Sequence, residues 1–152
     1  VPGTIHATLQ GSIVIAEVQQ NSDTTYRLYD FDRLENGVKR PLHLENALAV
    51  SMFGSAPHLS RKGERPVVLR GGTSVEVLVR DPHYAVDLVR FDRTMELPVM
   101  DVFQVVSVLA GKGSMGWGKQ AEAMAAGETW FIPQGLQVRL EGAMEILESW
   151  VP

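Results

Sequence analysis

Residues 65–97, RPVVLRGGTSVEVLVRDPHYAVDLVRFDRTMEL, decide the fold class. Three runs rich in Val and Leu, PVVLR, SVEVLVR and YAVDLVRFDRTMEL, are separated by Gly71-Gly72 and Asp81-Pro82. β-branched residues suit a pleated, half-buried surface, and Gly-Gly and Asp-Pro pairs suit turns. The same grammar continues to the C-terminus in VFQVVSVLAG, WGKQAEAM, TWFIPQG, LQVRLEG and MEILESWVP, with breaks at Gly111 to Gly113 and at Pro133 to Gly135. MAAGETWFIPQG resembles a helix start, but Trp130 to Ile132 are strand formers and Pro133 follows them. Many short strands with little helical periodicity predict an all-β jelly roll or sandwich.

Working back toward the N-terminus, Pro41 can open a helix, and Leu44, Ala47, Leu48 and Met52 recur at three- and four-residue intervals. A helix is therefore expected over 42–52, ended by Gly54 and Pro57. Residues 34–40, LENGVKR, form a hydrophilic link with Asn36-Gly37 as its turn. Before them, residues 1–33, VPGTIHATLQGSIVIAEVQQNSDTTYRLYDFDR, read as strands over about 4–9, 13–20 and 24–31. Gly11-Ser12 and Asn21-Ser22-Asp23 separate these strands.

Length and composition bound the rest. A chain of 152 residues with 45% hydrophobic content is long enough for a packed core. With 14 Lys+Arg against 18 Asp+Glu, its surface does not suit nucleic acid, whose backbone needs a basic partner. Zero cysteines exclude disulfides and thiolate metal sites, so any metal takes nitrogen and oxygen ligands. No apolar run approaches the ~20 residues of a membrane helix, and no signal peptide is visible. A cytoplasmic protein with no membrane partner is expected. The chain opens on Val in what reads as a strand and turn, the expectation for a truncated or processed polypeptide.

Three residues of the opening stretch carry chemistry: His6, Glu17 and Arg27. Their types respectively bind a metal, move a proton, and hold a phosphate or carboxylate. Glu17 shares strand parity with Ile13 and Ile15, which favours an inward carboxylate with a raised pKa. Arg27 could instead pair with Asp30 or Asp32 at the surface. His43, His58 and His83 have no partners at metal spacing and are expected to face solvent, while Trp117, Trp130 and Trp150 are expected at the core or rim of the β-rich half. Lys112 and Lys119 in GKGSMGWGK do not make a phosphate loop, because strands and not a helix N-terminus flank the glycines.

PGTIHA, a Glu in an apolar strand, and QQNSDTTYRLYDFDR together resemble the second half of the catalytic cupin domain of type I mannose-6-phosphate isomerases. The resemblance implies a zinc enzyme that interconverts mannose 6-phosphate and fructose 6-phosphate through a cis-enediol. It implies His6 as one of four zinc ligands, the other three coming from a missing N-terminal part of the same protein. It also implies Glu17 and Arg27 as active-site residues, with Arg27 stabilising the enediolate or orienting the phosphate. The implied organisation is the final strands of the catalytic cupin over 1–40, a linking helix and loop over 41–58, and a second cupin-like barrel without metal over 59–152. In that barrel Gly127, Pro133 and Gly135 match the second cupin signature, but Val138 stands where its histidine would be. Two alternatives remain open: a non-catalytic sugar-phosphate-binding or regulatory cupin, and an inactive proteolytic fragment.

Overall fold

The computed structural model describes residues 3–7, 11–19, 21–22, 24–54 and 64–152. The chain divides into two compact units, Val1–Leu59 and Ser60–Pro152.

In the second unit the all-β expectation holds. The strands are β3 (Val67–Arg70), β4 (Thr73–Arg80), β5 (Ala85–Phe91), β6 (Thr94–Glu96), β7 (Gln104–Trp117), β8 (Gln120–Ala125), β9 (Thr129–Ile132) and β10 (Arg139–Trp150). Every pairing is antiparallel, in the order β3-β4-β5-β10-β7-β8, with β6 also on β10 and β9 also on β7. The core collects alternate residues of these strands, among them Val75, Val89, Val106, Val108, Leu140 and Ile146, which are at most 2% exposed. Trp117 and Trp130 pack against this core as expected, and Trp150 lies beneath the Arg80 guanidinium, 4.9 Å from its ring centre. Val138 is fully buried within the same cluster.

Two sequence breaks turn out to be continuous strand. LQVRLEG and MEILESWVP merge into β10, and Gly111 to Gly113 lie inside β7 rather than in a turn. These glycines serve a close approach. A β-carbon at Gly111 would run into the carbonyl oxygen of Ala143, one at Gly113 into that of Glu141, and Gly111 also has φ +86°. A glycine in a strand can thus signal backbone contact as readily as a turn.

The first unit differs more from expectation. Among its described residues no strand forms over 4–9, 13–20 or 24–31; the first is β1 (Leu34–Glu35), paired with β2 (Val38–Lys39). A strand exists only as a member of a ladder, and these segments find no ladder partner among the described residues. Ile13, Val14 and Ile15 are accordingly exposed on both parities, at 57%, 98% and 65%. Asn36 and Gly37 form the expected turn, both with positive φ (52° and 80°), between β1 and β2. The helix α1 runs Leu44–Val50, shorter at both ends than predicted, and buries Ala47.

Candidate active site

A cleft of about 540 Å³ lies within the first unit, and His6, Glu17 and Arg27 all line it. Tyr26, Tyr29 and Phe31 add aromatic wall, and Ala47, Val50 and Ser51 come from α1 and the residue after it.

The segment carrying His6 is tied to the end of α1 through Gly3. Its carbonyl accepts from Met52 N–H at 2.9 Å, and a β-carbon there would stand 2.7 Å from the Val50 oxygen. With φ +76° as well, position 3 suits glycine on two counts. His6 is exposed, and its Nδ1 lies 3.1 Å from the Thr4 carbonyl oxygen. A proton on Nδ1 donated to that carbonyl leaves the Nε2 lone pair for a ligand, the way a backbone carbonyl behind the ring orients metal-binding imidazoles.

Arg27 is half-buried and fixed through its backbone. Its N–H donates to His43 Nδ1 at 3.2 Å, and His43 N–H donates back to the Arg27 carbonyl at 2.8 Å. His43 immediately precedes α1 and also meets the Tyr26 ring edge-on at 6.3 Å. The expectation that His43 faces solvent is therefore corrected: it is half-buried and hydrogen-bonded to Arg27. A lone histidine ahead of a helix gave no periodic signal of a contact 16 residues back in the chain.

The surface alternative for Arg27 does not occur. Asp30 accepts two hydrogen bonds from Arg40, from Nε at 2.8 Å and from Nη2, and Asp32 pairs with Lys39 at 2.5 Å. The Arg40 hydrogen bond lowers the Asp30 carboxyl from its ordinary pKa, against a smaller opposing effect of desolvation. Both neighbouring carboxylates are thus committed elsewhere, and the Arg27 guanidinium has no hydrogen bond or ion pair among the described residues. Arg27 adds to the positive field that lowers Asp30, yet an arginine in a cleft without a direct ion pair can take an anionic ligand bidentately.

Glu17 is exposed in the cleft, not inward in an apolar pocket as its strand parity suggested. Without a strand, parity with Ile13 and Ile15 assigns no common face. His83 is exposed with its N–H on Asp81 Oδ1, and His58 lies outside the described residues.

A catalytic zinc typically keeps three protein ligands and one open position. Among the described residues no three His, Asp or Glu side chains converge for a metal. His6 suits one zinc position, but the described set does not fit a whole site.

No family model matches the chain. Over 150 residues it is 35% identical to mannose-6-phosphate isomerase of Streptococcus mutans, a match that covers 97% of this chain and 46% of that protein. It is 34% identical over 150 residues to a probable mannose-6-phosphate isomerase, GmuF, of Bacillus subtilis, with the same coverage. The chain thus spans about half the length of the curated relatives it matches. Among solved structures, mannose 6-phosphate isomerase from Bacillus subtilis superposes with a TM-score of 0.70 at 25% identity, over 84% of this chain and 40% of that one. An RmlC-like cupin from Shewanella frigidimarina superposes with a TM-score of 0.53 at 16% identity, over 62% of this chain and 90% of that one, a likeness of fold. By sequence and by fold, this chain is a homologue of mannose-6-phosphate isomerases over most of its own length.

Proposed function

We propose that the chain is the C-terminal portion of a zinc-dependent isomerase that interconverts mannose 6-phosphate and fructose 6-phosphate. The observation that carries this reading is the Arg27 guanidinium, which makes no ion pair among the described residues and lies in a cleft shared with His6 and Glu17. An aldose–ketose interconversion moves one proton from C2 to C1 and a second between the two oxygens, through a cis-enediol, with no net oxidation. The developing negative charge falls on the oxygens, where a planar guanidinium stabilises it. Arg27 takes that role, or holds the phosphate, and Glu17 is the carboxylate this chain offers for proton movement. His6 would hold zinc together with ligands from the remaining polypeptide of a protein the length of its relatives, and the chemistry such a metal would supply is Lewis-acid polarisation of the sugar oxygens. Sugar phosphates carry charge and stay in the compartment that makes them, which puts the enzyme in the cytoplasm.

The test is turnover of mannose 6-phosphate by the full-length protein, read as fructose 6-phosphate formed, with metal content measured alongside. Arg27→Lys keeps the charge but loses the fork, and kcat/KM should fall about 100-fold or more with little change in unfolding midpoint. Stoichiometric zinc without turnover would favour a binding protein, and near-normal turnover in Arg27→Lys would remove Arg27 from the site.

A further inference from the structure

The chain from Asp30 to Arg33 makes a turn of an unusual kind. Arg33 N–H donates to the Asp30 carbonyl at 3.0 Å, and the two central residues, Phe31 and Asp32, both have φ of 53°. Two successive left-handed residues are the signature of a type I′ turn, for which Asn-Gly is the favoured pair. This chain has that pair at Asn36-Gly37, in the adjacent hairpin. At 31–32 it carries a bulky aromatic in a conformation that strains an L side chain.

The strained turn is pinned on every side. Arg40 grips Asp30 with two hydrogen bonds, and Lys39 from β2 holds Asp32 at 2.5 Å. The Arg33 guanidinium lies 5.6 Å from the Phe31 ring centre, and Tyr29 meets that ring edge-on at 4.8 Å. Phe31 nonetheless stays 42% exposed, and it lines the cleft. Strain kept in place by several independent contacts marks a position held for use.

We infer that Phe31 is a specificity-determining residue of the cleft, its ring held in the wall by a strained turn to contact the carbon skeleton of a phosphorylated hexose. This rests on the isomerase reading for the ligand class and on the turn geometry for the residue. The ring supplies apolar surface for sugar C–H groups, and the nearby unpaired Arg27 supplies the anion contact in the same cleft.

Two variants separate the parts of the inference. Phe31→Ala and Phe31→Gly both remove the ring, but only glycine relieves the backbone. In the full-length protein the glycine variant should melt a few degrees (roughly 4 °C) above the alanine variant. Both should raise KM for mannose 6-phosphate about tenfold, with kcat within about threefold of the parent. If glycine and alanine variants melt together, the strain does not exist; if KM is unchanged in both, the ring does not touch the substrate. Either result overturns the inference. Should the parent protein show no turnover, the isomerase reading fails separately. Calorimetric titration with mannose 6-phosphate then decides on Phe31: a tenfold weaker Kd in both variants supports it, and an unchanged Kd overturns it.

Discussion

Replacing Arg70 with Met should destabilise the second unit by an amount that depends on pH in a defined direction. Asp87 on β5 and Glu148 on β10 stand directly opposite each other in register, on the face shared with core residues Val89 and Ile146. Both are fully buried. Two buried carboxylates at cross-strand distance repel, and Arg70 bridges them, with Nη1 on Glu148 Oε2 and Nη2 on Asp87 Oδ2 at 2.8 Å. Arg80 Nη2 lies 2.6 Å from Asp87 Oδ1, so Asp87 keeps a counter-ion when Arg70 is removed. Glu148 keeps no direct ion pair among the described residues, only the longer-range pull of Arg80, and its Oε1 has no hydrogen-bond partner.

A lone buried charge costs about 3–5 kcal/mol, but a carboxylate can escape by taking up a proton. That escape costs about 1.4 kcal/mol for each pH unit above the ordinary value of 4.5. The penalty is therefore capped near 3.5 kcal/mol at pH 7 and falls below about 1 kcal/mol at pH 5. Burial already raises the Glu148 pKa in the parent, against the lowering effect of Arg70. A carboxyl raised on folding contributes stability that is present below 4.5 and lost as pH rises through its folded value. Removing Arg70 raises that value further and steepens the loss.

Urea titration followed by tryptophan fluorescence reads this unit alone, since Trp117, Trp130 and Trp150 all belong to it. Adding Glu148→Met to Arg70→Met should recover most of the loss, because an apolar pair leaves no orphan charge. A penalty under about 1 kcal/mol at pH 7, or one equal at pH 5 and pH 7, would refute the reasoning.

Further outcomes are expected elsewhere. Gly111→Ala should cost roughly 2–4 kcal/mol in the same titration, from its positive φ and the collision with the Ala143 carbonyl; a loss below about 0.5 kcal/mol would mean the strands part easily. His43→Phe keeps a ring beside Tyr26 but removes the acceptor for Arg27 N–H, and kcat/KM of the full-length enzyme should fall about fivefold. His43→Asn, which restores an acceptor, should recover most of that loss, and combining His43→Phe with Arg27→Lys should be less than additive. His6→Ala should abolish zinc retention in the full-length protein; unchanged metal content would remove its ligand role.

The second unit was legible because its code is local. The Val- and Leu-rich runs SVEVLVR and YAVDLVRF are strands, the latter buried without a break from Ala85 to Val89, and the turn residues at 71–72, 81–82 and 133–135 fall between strands. Where local pattern misled, at Gly111 and Gly113, the missing information was the backbone of β10 some 30 residues further on, which no nearby residue reports. The first unit was harder for the same reason on a larger scale. Strand propensity in GSIVIAEV is a statement about available neighbours, and none is present among the described residues. His6, Glu17 and Arg27, selected from residue type and resemblance, all line one cleft, and their place in an active site stands as a proposal. His43 escaped notice because its role lies in a ring nitrogen meeting a distant backbone amide.

The interior of the second unit has a chemical consequence. Met95, Met115, Met124 and Met144 are all at most 5% exposed there, while Met52 in the first unit is 69% exposed. Thioethers fill irregular gaps well but become polar once oxidised to sulfoxides. Mild peroxide should therefore modify Met52 long before the four interior methionines. A sulfoxide at any of those four signals that the barrel had opened, and the added oxygen would hinder its closing again. The sulfur atoms that pack this barrel thus also keep a chemical trace of its excursions.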